Sequence, residues 1–506
     1  MPSNNEKIGH LIAQVRQDKG YTQAEFARLL NTSQSAVNRM EHGRQNLSLE
    51  TLGRISDVLN KQLISLSSGA VNLLIEGGNE LKGSIEIKSS KNATVALLCA
   101  SLLNKGTTIL KNVPRIEEVN RIVEVLISIG VNVKWQENDL EIKPPKELIL
   151  DNIDKEAAKK TRSVIMLIGS LMHEFREFNI PYAGGCNLGR RTVLPHLYGL
   201  EEFGVGVMTK SGHYEVMVNK QLPVRDVVLY ESGDTTTENI ILAAARMDGQ
   251  TVIKMASANY MVQDLCFFLQ KLGVRIEGIG TSILKIQGVP FINKNLSYSP
   301  GEDPVEAMTF IAAAVTTNSS ITIKRAPIEF LELELLKLEK MGLKSDISPK
   351  YKSQNEKTDL VDITIHKHNG NLVAPSEKIH PNIFPGLNID HLPYFIPIVA
   401  VASGRTLIHD WVYEDRALMY TEIKKIGVNL ELADPHRVYI EGPTRWKAAD
   451  LVCPSGIRPA VMLLIGMLAA SGQSILRNVY TINRGYEDLA ERLNSLGAHI
   501  TVLHEL

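Results

Sequence analysis

Little in this 506-residue chain points to disulfides, metals or membranes. Four cysteines occur, Cys99, Cys186, Cys266 and Cys453, and none has the CxxC spacing of a zinc site or a redox pair. His/Cys/Asp clusters at ligand spacing are also missing, so no metal is implied and no cofactor is expected. The longest apolar runs, 164–172 and 459–470, are too short to cross a bilayer and read as buried core helices. Residues 1–7 are polar and lack the basic-then-apolar pattern of a signal peptide. Together these absences predict a cytoplasmic protein with no membrane partner. Charge of one sign is scarce as well. The formal net charge is -1, so any attraction to nucleic acid must come from a local surface.

What is present is an ordinary globular composition, 44% hydrophobic and 22% charged, at a length that suggests about three domains. Residues 8–60 read as a compact helical unit. Ile8, Leu11, Ile12 and Val15 recur at helical spacing until Gly20. Thr22 can cap a helix over 23–30 whose inner face carries Phe26, Ala27 and Leu30. After Asn31 and Thr32, Ser33 can cap a third helix with Ala36, Val37 and Met40 inward. A further helix is predicted over 48–59. Gln34, Ser35, Asn38 and Arg39 point outward and, with Gln23, form the predicted DNA-binding set. Gln and Asn can read adenine, Arg guanine, and Ser a phosphate. The run TQAEFARLLNTSQSAVNRMEHGR resembles phage-repressor-like helix-turn-helix domains, which place the second helix in the major groove. Periodicity alone would equally allow a helical protein-docking module. The unit is only slightly positive, so a monomer should bind double-stranded DNA weakly and a homodimer would help. Residues 61–72 lack periodicity and read as a linker.

The rest of the chain repeats itself. An apolar residue, glycine and then Val, Leu or Ala recur at Gly130, Gly204, Gly273, Gly342, Gly427 and Gly497, each between a helical and a strand pattern. Gly106, Gly249, Gly404 and Gly472 mark a second, fourfold element about two dozen residues upstream. These glycines read as helix C-terminal caps in the left-handed region. Six such units resemble the inside-out α/β barrel of enolpyruvyl transferases, in which two globes of three units face each other. The expected fold is therefore α/β, preceded by a small all-α domain. Expected boundaries are 1–66 for the helix-turn-helix, 67–88 with 301–506 for one globe, and 89–300 for the other.

Three departures from the repeat carry chemistry. Lys91, in Ser89-Ser90-Lys91-Asn92-Ala93, stands at a helix start, where the helix dipole favours an anion. Cys186 lies among Gly184, Gly185 and Gly189, followed by Arg190 and Arg191, a cationic setting that would lower a thiol pKa. Cys99 and Cys266 sit in apolar helical runs and read as inert. Arg162, Arg191, Arg416, Arg458 and Arg484 form a scatter of arginines, several in apolar text. Converging buried arginines imply an anionic ligand, and phosphoenolpyruvate suits them.

The stretches GSIEIKSSKNA, PYAGGCNLGRR, GDTTTENIILAAA, HPNIFPGLNIDHL, VYEDRALMYTEIKKIG, GIRPA and INRGYEDL resemble, in the same order, the UDP-N-acetylglucosamine 1-carboxyvinyltransferase family. EPSP synthase shares the fold, but its family lacks the cysteine loop. The resemblance implies transfer of the enolpyruvyl group of phosphoenolpyruvate to a sugar-nucleotide hydroxyl, with loss of phosphate, on the route to peptidoglycan. It implies Cys186 as proton donor to C3 and Asp390 as the carboxylate that deprotonates the sugar hydroxyl. Lys91, Arg191 and Arg484 would gather on the phosphate, and Arg416 and Arg458 on the rest of the anion. Asn92, placed on both ligands, would contact the sugar nucleotide with Arg162, Arg191 and Asp390, and Val412 would line that pocket.

Departures from the family gather on the nucleotide side. Arg191-Thr192-Val193-Leu194-Pro195 replaces RPVDL, and Glu231-Ser232-Gly233-Asp234-Thr235 replaces a Lys or Pro with a Ser-Val-Gly turn. Ala258-Asn259-Tyr260-Met261 replaces an acidic stretch, and Gly456 replaces an Asp. The acceptor is UDP-N-acetylglucosamine or a related nucleotide or sugar. The alternative of a different class is a transcription regulator whose transferase-like part senses a metabolite.

Overall fold

The computed structural model describes residues 9, 12–13, 16–17, 19–30, 32–42, 51, 55, 58, 71–184, 192–219 and 226–504. Two compact units divide the chain, Met1–Asn72 with Leu503–Leu506, and Leu73–Val502.

In the first unit, helices α1 (Gln23–Leu29) and α2 (Gln34–Glu41) begin at side-chain caps. Thr22 Oγ1 accepts from the Glu25 amide at 3.2 Å, and the Glu25 carboxylate accepts from the Thr22 amide at 2.8 Å. Ser33 Oγ accepts from the Ala36 amide at 3.2 Å. Each cap satisfies a backbone donor that the helix itself leaves unpaired. Phe26, Ala27, Leu30, Ala36, Val37 and Met40 turn inward and meet Ile12 and Ile55 in one core. Burying each of the larger side chains contributes about 1.5–3 kcal/mol, which is where a unit this small finds its stability. Gly20, at φ +73°, follows the preceding helical residues as expected.

Val71 and Asn72, read as linker from the sequence, already belong to the Val71–Gly77 strand. That strand alternates apolar and polar residues poorly, which is why the sequence hid it. Among its described residues the larger unit holds six separate sheets of three to five strands. Three draw every strand from residues 108–298, and three from 71–86 and 320–504. Each of the six repeated apolar–glycine motifs feeds a different sheet. The strand that follows it is always an edge strand: Asn132–Gln136, Val205–Lys210, Arg275–Glu277, Ser345–Ile347, Asn429–Asp434 and His499–His504. All six glycines have φ between +79° and +107°, where a side chain would be strained. Gly106 differs. Its backbone is not left-handed, and a Cβ there would stand 2.3 Å from the Lys294 carbonyl oxygen.

Two three-helix clusters lie among these sheets. One joins α3 (Lys91–Ser101), backed by α4 (Glu117–Ser128), to α5 (Asp234–Ala245) and α6 (Tyr260–Leu272). The other joins α7 (Pro304–Thr316), α8 (Leu392–Ala400) and α9 (Ile457–Ala469). A helix that is apolar all round must be enclosed, and every residue of α7 is buried. The 164–172 run is a 3₁₀ turn (Arg162–Met166) followed by a short helix (Leu167–Leu171), both mostly buried, and the 459–470 run is α9. No helix among the described residues is long and apolar enough to cross a membrane.

Candidate active site

The six core helices share one property: the sequence places a polar or charged side chain at or just before each N-terminus. Lys91 and Asn92 open α3, Asp234 opens α5, and Tyr260 opens α6. Asp303 caps α7, Asp390 precedes α8, and Arg458 is the second residue of α9. Contacts link these ends. The Lys91 amide lies 3.4 Å from Asp303 Oδ2, and Asn92 Nδ2 donates to Tyr260 Oη at 3.0 Å. Arg458 Nε and Nη2 donate to Asp390 Oδ2 at 3.2 and 3.0 Å. Helix N-termini favour negative charge, so their meeting point suits an anion.

Cations at this point are held by carboxylates of the protein. Lys91 Nζ is 2.6 Å from Glu118 Oε2, on the first turn of α4. Arg416, 1% exposed, donates from Nε to Asp410 Oδ2 at 2.5 Å and from Nη2 to the Ile389 carbonyl at 2.9 Å, bracing the backbone next to Asp390. Arg458 also donates from Nη1 to Tyr486 Oη at 2.9 Å, and Tyr486 joins the hydroxyls of Thr309 and Tyr394. Two of the arginines read from the sequence as implying an anionic ligand, Arg458 and Arg416, therefore have carboxylate partners within the protein, Asp390 and Asp410. Arg484 is half-buried, its backbone amide donates to the Tyr480 carbonyl at 3.2 Å, and its charge acts on Glu118. A small open cleft beside Lys91 is lined by Pro114, Ile116, Asp303, Gly485 and Tyr486.

Burial alone would raise the Asp390 carboxyl, but Arg458, Arg416 and Lys91 overcome it and hold the group down at about 2. Asp390 is thus fully ionised at neutral pH, and a weak base while Arg458 stays on it. Asp234 has neutral partners instead. Its Oδ1 accepts from Ser257 Oγ at 2.5 Å and its Oδ2 from Asn259 Nδ2 at 3.2 Å. Burial pushes its carboxyl up, those two hydrogen bonds pull it down, and the Asp390 charge pushes it up again.

The other predicted residues are spread more widely. Arg162 Nη2 donates to the Thr192 carbonyl at 2.6 Å. Val412 is 42% exposed, beside the exposed Trp411. Cys186 and Arg191 lie outside the described residues. Cys99 and Cys266 are fully buried, and burial raises both thiols. Cys453 is pushed up to about 12 by burial. In the first unit Gln34, Ser35, Asn38 and Arg39 are exposed. Gln23 is engaged within the unit, donating to Glu41 Oε2 at 2.6 Å beside the buried Arg16–Glu41 pair. Sequence reasoning missed Glu118, Asp303, Asp410 and Tyr486. Asp303-Pro304 carries a helix-start signature that could have revealed the cap, whereas Glu118 resembles any acid in a first helical turn.

The EPSP synthase (3-phosphoshikimate 1-carboxyvinyltransferase) family model matches residues 75–493, and a helix-turn-helix model matches residues 12–66. The UDP-N-acetylglucosamine 1-carboxyvinyltransferase of Borrelia garinii subsp. bavariensis is 31% identical over 428 residues, covering 84% of this chain and 98% of that one. The enzyme of that name from Bradyrhizobium diazoefficiens is 33% identical over 436 residues, covering 85% and 97%. Among solved structures, the enolpyruvyl transferase NikO from Streptomyces tendae matches with a TM-score of 0.73 at 22% identity, covering 87% of this chain and all of that one. An EPSP synthase from Acinetobacter baumannii matches with a TM-score of 0.63 at 15% identity, covering 86% of this chain and all of that one.

Proposed function

The chain belongs to the EPSP synthase (3-phosphoshikimate 1-carboxyvinyltransferase) family, and from that membership we propose that it transfers the enolpyruvyl group of phosphoenolpyruvate to a hydroxyl of UDP-N-acetylglucosamine. The observation that carries this reading is the set of charged helix N-termini, with Lys91 lining a small cleft and Arg458 paired to Asp390. In the reaction the acceptor oxygen bonds to C2 while Cys186 protonates C3. A C3 proton is then lost as the C2–O bond to phosphate breaks. Lys91, Arg191 and Arg484 take the phosphate, with Arg416 and Arg458 on the carboxylate side. Fixed cations of this kind lower the barrier to phosphate loss without reorganising at the moment of reaction. Asp390 receives the acceptor proton. Its ion pair with Arg458 makes that step conditional: an anion that draws Arg458 away returns Asp390 toward ordinary basicity. Asn92, Arg162 and Val412 contact the nucleotide sugar. The two globes comprise residues 67–88 with 301–506, and 89–300, a division supported by the separate strand membership of the sheets. The enzyme works in the cytoplasm, at the stage of peptidoglycan precursor synthesis.

A second reading is favoured by Asp234, an acid on the acceptor side with no cation among its hydrogen-bond partners. It is a related transferase whose acceptor is another nucleotide or sugar. Phosphate release from phosphoenolpyruvate with UDP-N-acetylglucosamine, beside a Cys186→Ala control, separates the two. Cys186-dependent release with the enolpyruvyl mass on the nucleotide is expected, and no release with this acceptor would favour the second.

The N-terminal domain binds double-stranded DNA through the exposed Gln34, Ser35, Asn38 and Arg39. Gln23, held by Glu41, contributes by fixing the helix pair and not by reading a base. Binding should weaken steeply with salt, and a flat salt dependence would favour a protein-docking module. Regulation by ligand occupancy predicts that phosphoenolpyruvate plus acceptor change DNA affinity, and an unchanged affinity would remove that link.

A further inference from the structure

Lys91 already holds an anion of the protein's own. Its Nζ lies 2.6 Å from Glu118 Oε2, and both side chains are 11% exposed. Glu118 comes from the first turn of α4, outside every stretch that marks the rest of the site. Arg484 and Arg458 act on the same carboxylate. Burial disfavours its charge, and Lys91, Arg484 and Arg458 together outweigh burial and keep it ionised. The cleft beside it is walled by Pro114 and Ile116, which lead into α4, and by Gly485 and Tyr486, which follow Arg484. Glu118 therefore pairs directly with Lys91 and lies within the field of Arg484 and Arg458.

The other two pairs at this site differ from it. Arg416–Asp410 is sealed at 1% and 0% exposure, and Asp390 is a group the reaction itself uses. Glu118 has no step to perform and stands on the cation proposed to take the phosphate. Two anions at hydrogen-bond distance from one ammonium repel each other, so an arriving phosphate competes with Glu118 for Lys91. A nearly buried ammonium with no anion is costly in its turn.

We infer that Glu118 is an internal stand-in for the phosphate of phosphoenolpyruvate, a positioning residue that holds Lys91 in the empty site and releases it when the phosphate arrives. This rests on the reading of Lys91 as a phosphate ligand. An arriving phosphate exchanges with Glu118, so ground-state binding is weakened. After the C–O bond breaks, the returning carboxylate helps the product phosphate to leave.

The test compares the full chain with Glu118→Gln and Glu118→Asp, reading first the binding of inorganic phosphate and phosphoenolpyruvate by calorimetry, then turnover. Glu118→Gln should bind both anions about tenfold more tightly, a shift of about 1.4 kcal/mol. KM for phosphoenolpyruvate should fall with kcat, because phosphate leaves more slowly, and phosphate should become a stronger product inhibitor. A residue that merely supported the fold would raise KM instead. Glu118→Asp, which withdraws the charge without removing it, should bind phosphate about threefold more tightly, and it keeps the test valid should the Gln variant fail to fold. In a Lys91→Gln background the effect of Glu118→Gln should vanish. Anion affinity equal to or weaker than wild type in a folded Glu118 variant would overturn the inference alone. A wild type that binds neither anion would overturn the functional reading and this inference together.

Discussion

Around Lys91, Arg458 and Arg416 each cation meets a carboxylate, at 2.6, 3.0 and 2.5 Å, whereas the Asp234 carboxylate meets neutral hydrogen-bond donors. Arg162 rests on a backbone carbonyl, and Asp234 on Ser257 and Asn259. Arg416–Asp410 is sealed, but at Lys91 and Arg458 the charges are balanced within the protein, so an anion can enter there by exchange and the balance survives. The second keeps an acid at the start of α5, and the Asp390 charge disfavours the charge on Asp234. One side of the site is thus tuned for exchange of a multiply charged anion. The other admits hydroxyls and other hydrogen-bond donors more readily than phosphates.

The largest effects should come from breaking the balanced side. Arg458→Ala removes the partner of both Asp390 and Tyr486. We expect kcat/KM for phosphoenolpyruvate to fall by about 10³, on the scale of losing a preorganised charge donor. Stability should fall by about 3–5 kcal/mol, since a carboxylate is left unpaired. Arg458→Lys should restore little, because one ammonium cannot reproduce the forked contact to Asp390 and Tyr486. Steady-state kinetics and thermal melting read both quantities.

Next in size is a pH effect on the same pair. The Asp390 carboxyl is depressed to about 2 in the folded chain, against about 3.9 for a free aspartate. A depressed acid contributes stability that is complete above its unfolded value and lost as pH falls through the folded one. The window therefore runs from about pH 4 down to about 2, and is worth about 2–3 kcal/mol. Asp390→Asn should melt lower than wild type above pH 4, with the gap closing toward pH 2. A gap independent of pH would mean that the pair is not what Asp390 contributes.

On the unbalanced side, Asp234→Asn keeps the shape and removes the charge. KM for UDP-N-acetylglucosamine should fall about fivefold, corresponding to about 1 kcal/mol for one charge near a phosphate in a wet site. Because burial raises the Asp234 carboxyl, lowering the pH should neutralise it in the wild type and bring the two proteins together. An unchanged KM would show that the acceptor's phosphates do not pass this residue.

Legibility in the sequence followed the same division. Arg458 and Arg484 stand out because a guanidinium in apolar text needs a reason, and SSKNA marks Lys91 at a helix start. Their partners do not stand out. Glu118 is 27 residues from Lys91, and an acid in a first helical turn has an adequate local explanation. The repeat was readable wherever glycine supplied the left-handed residue. It faded before the Ser320–Pro327 strand, where Asn318 takes φ +49° in place of glycine. Gln23 shows the limit of helical periodicity. A wheel shows which way a side chain leaves its own helix, and it cannot show that Glu41 of the next helix is waiting there.

The smallest expected effect belongs to Glu231, and it sharpens the comparison most. This side chain is exposed, and its Oε1 lies 3.2 Å from where a Cβ on Gly233 would stand, so the carboxylate folds over the start of α5. There it screens the positive end of that helix, which would attract a phosphate. An exposed charge is worth little, on the order of 0.2–1 kcal/mol, and is screened beyond about 8 Å at physiological ionic strength. Glu231→Gln should therefore lower KM for UDP-N-acetylglucosamine by no more than about fivefold in dilute buffer and hardly at all in 0.5 M salt, roughly the strength at which such screening is complete. The Asp234→Asn effect, with its carboxylate half-buried and held by two hydrogen bonds, should survive the same salt. If both effects vanish together, the acceptor side is a diffuse surface field. If only the Glu231 effect vanishes, the selectivity against phosphate is built into the wall of the site, at Asp234.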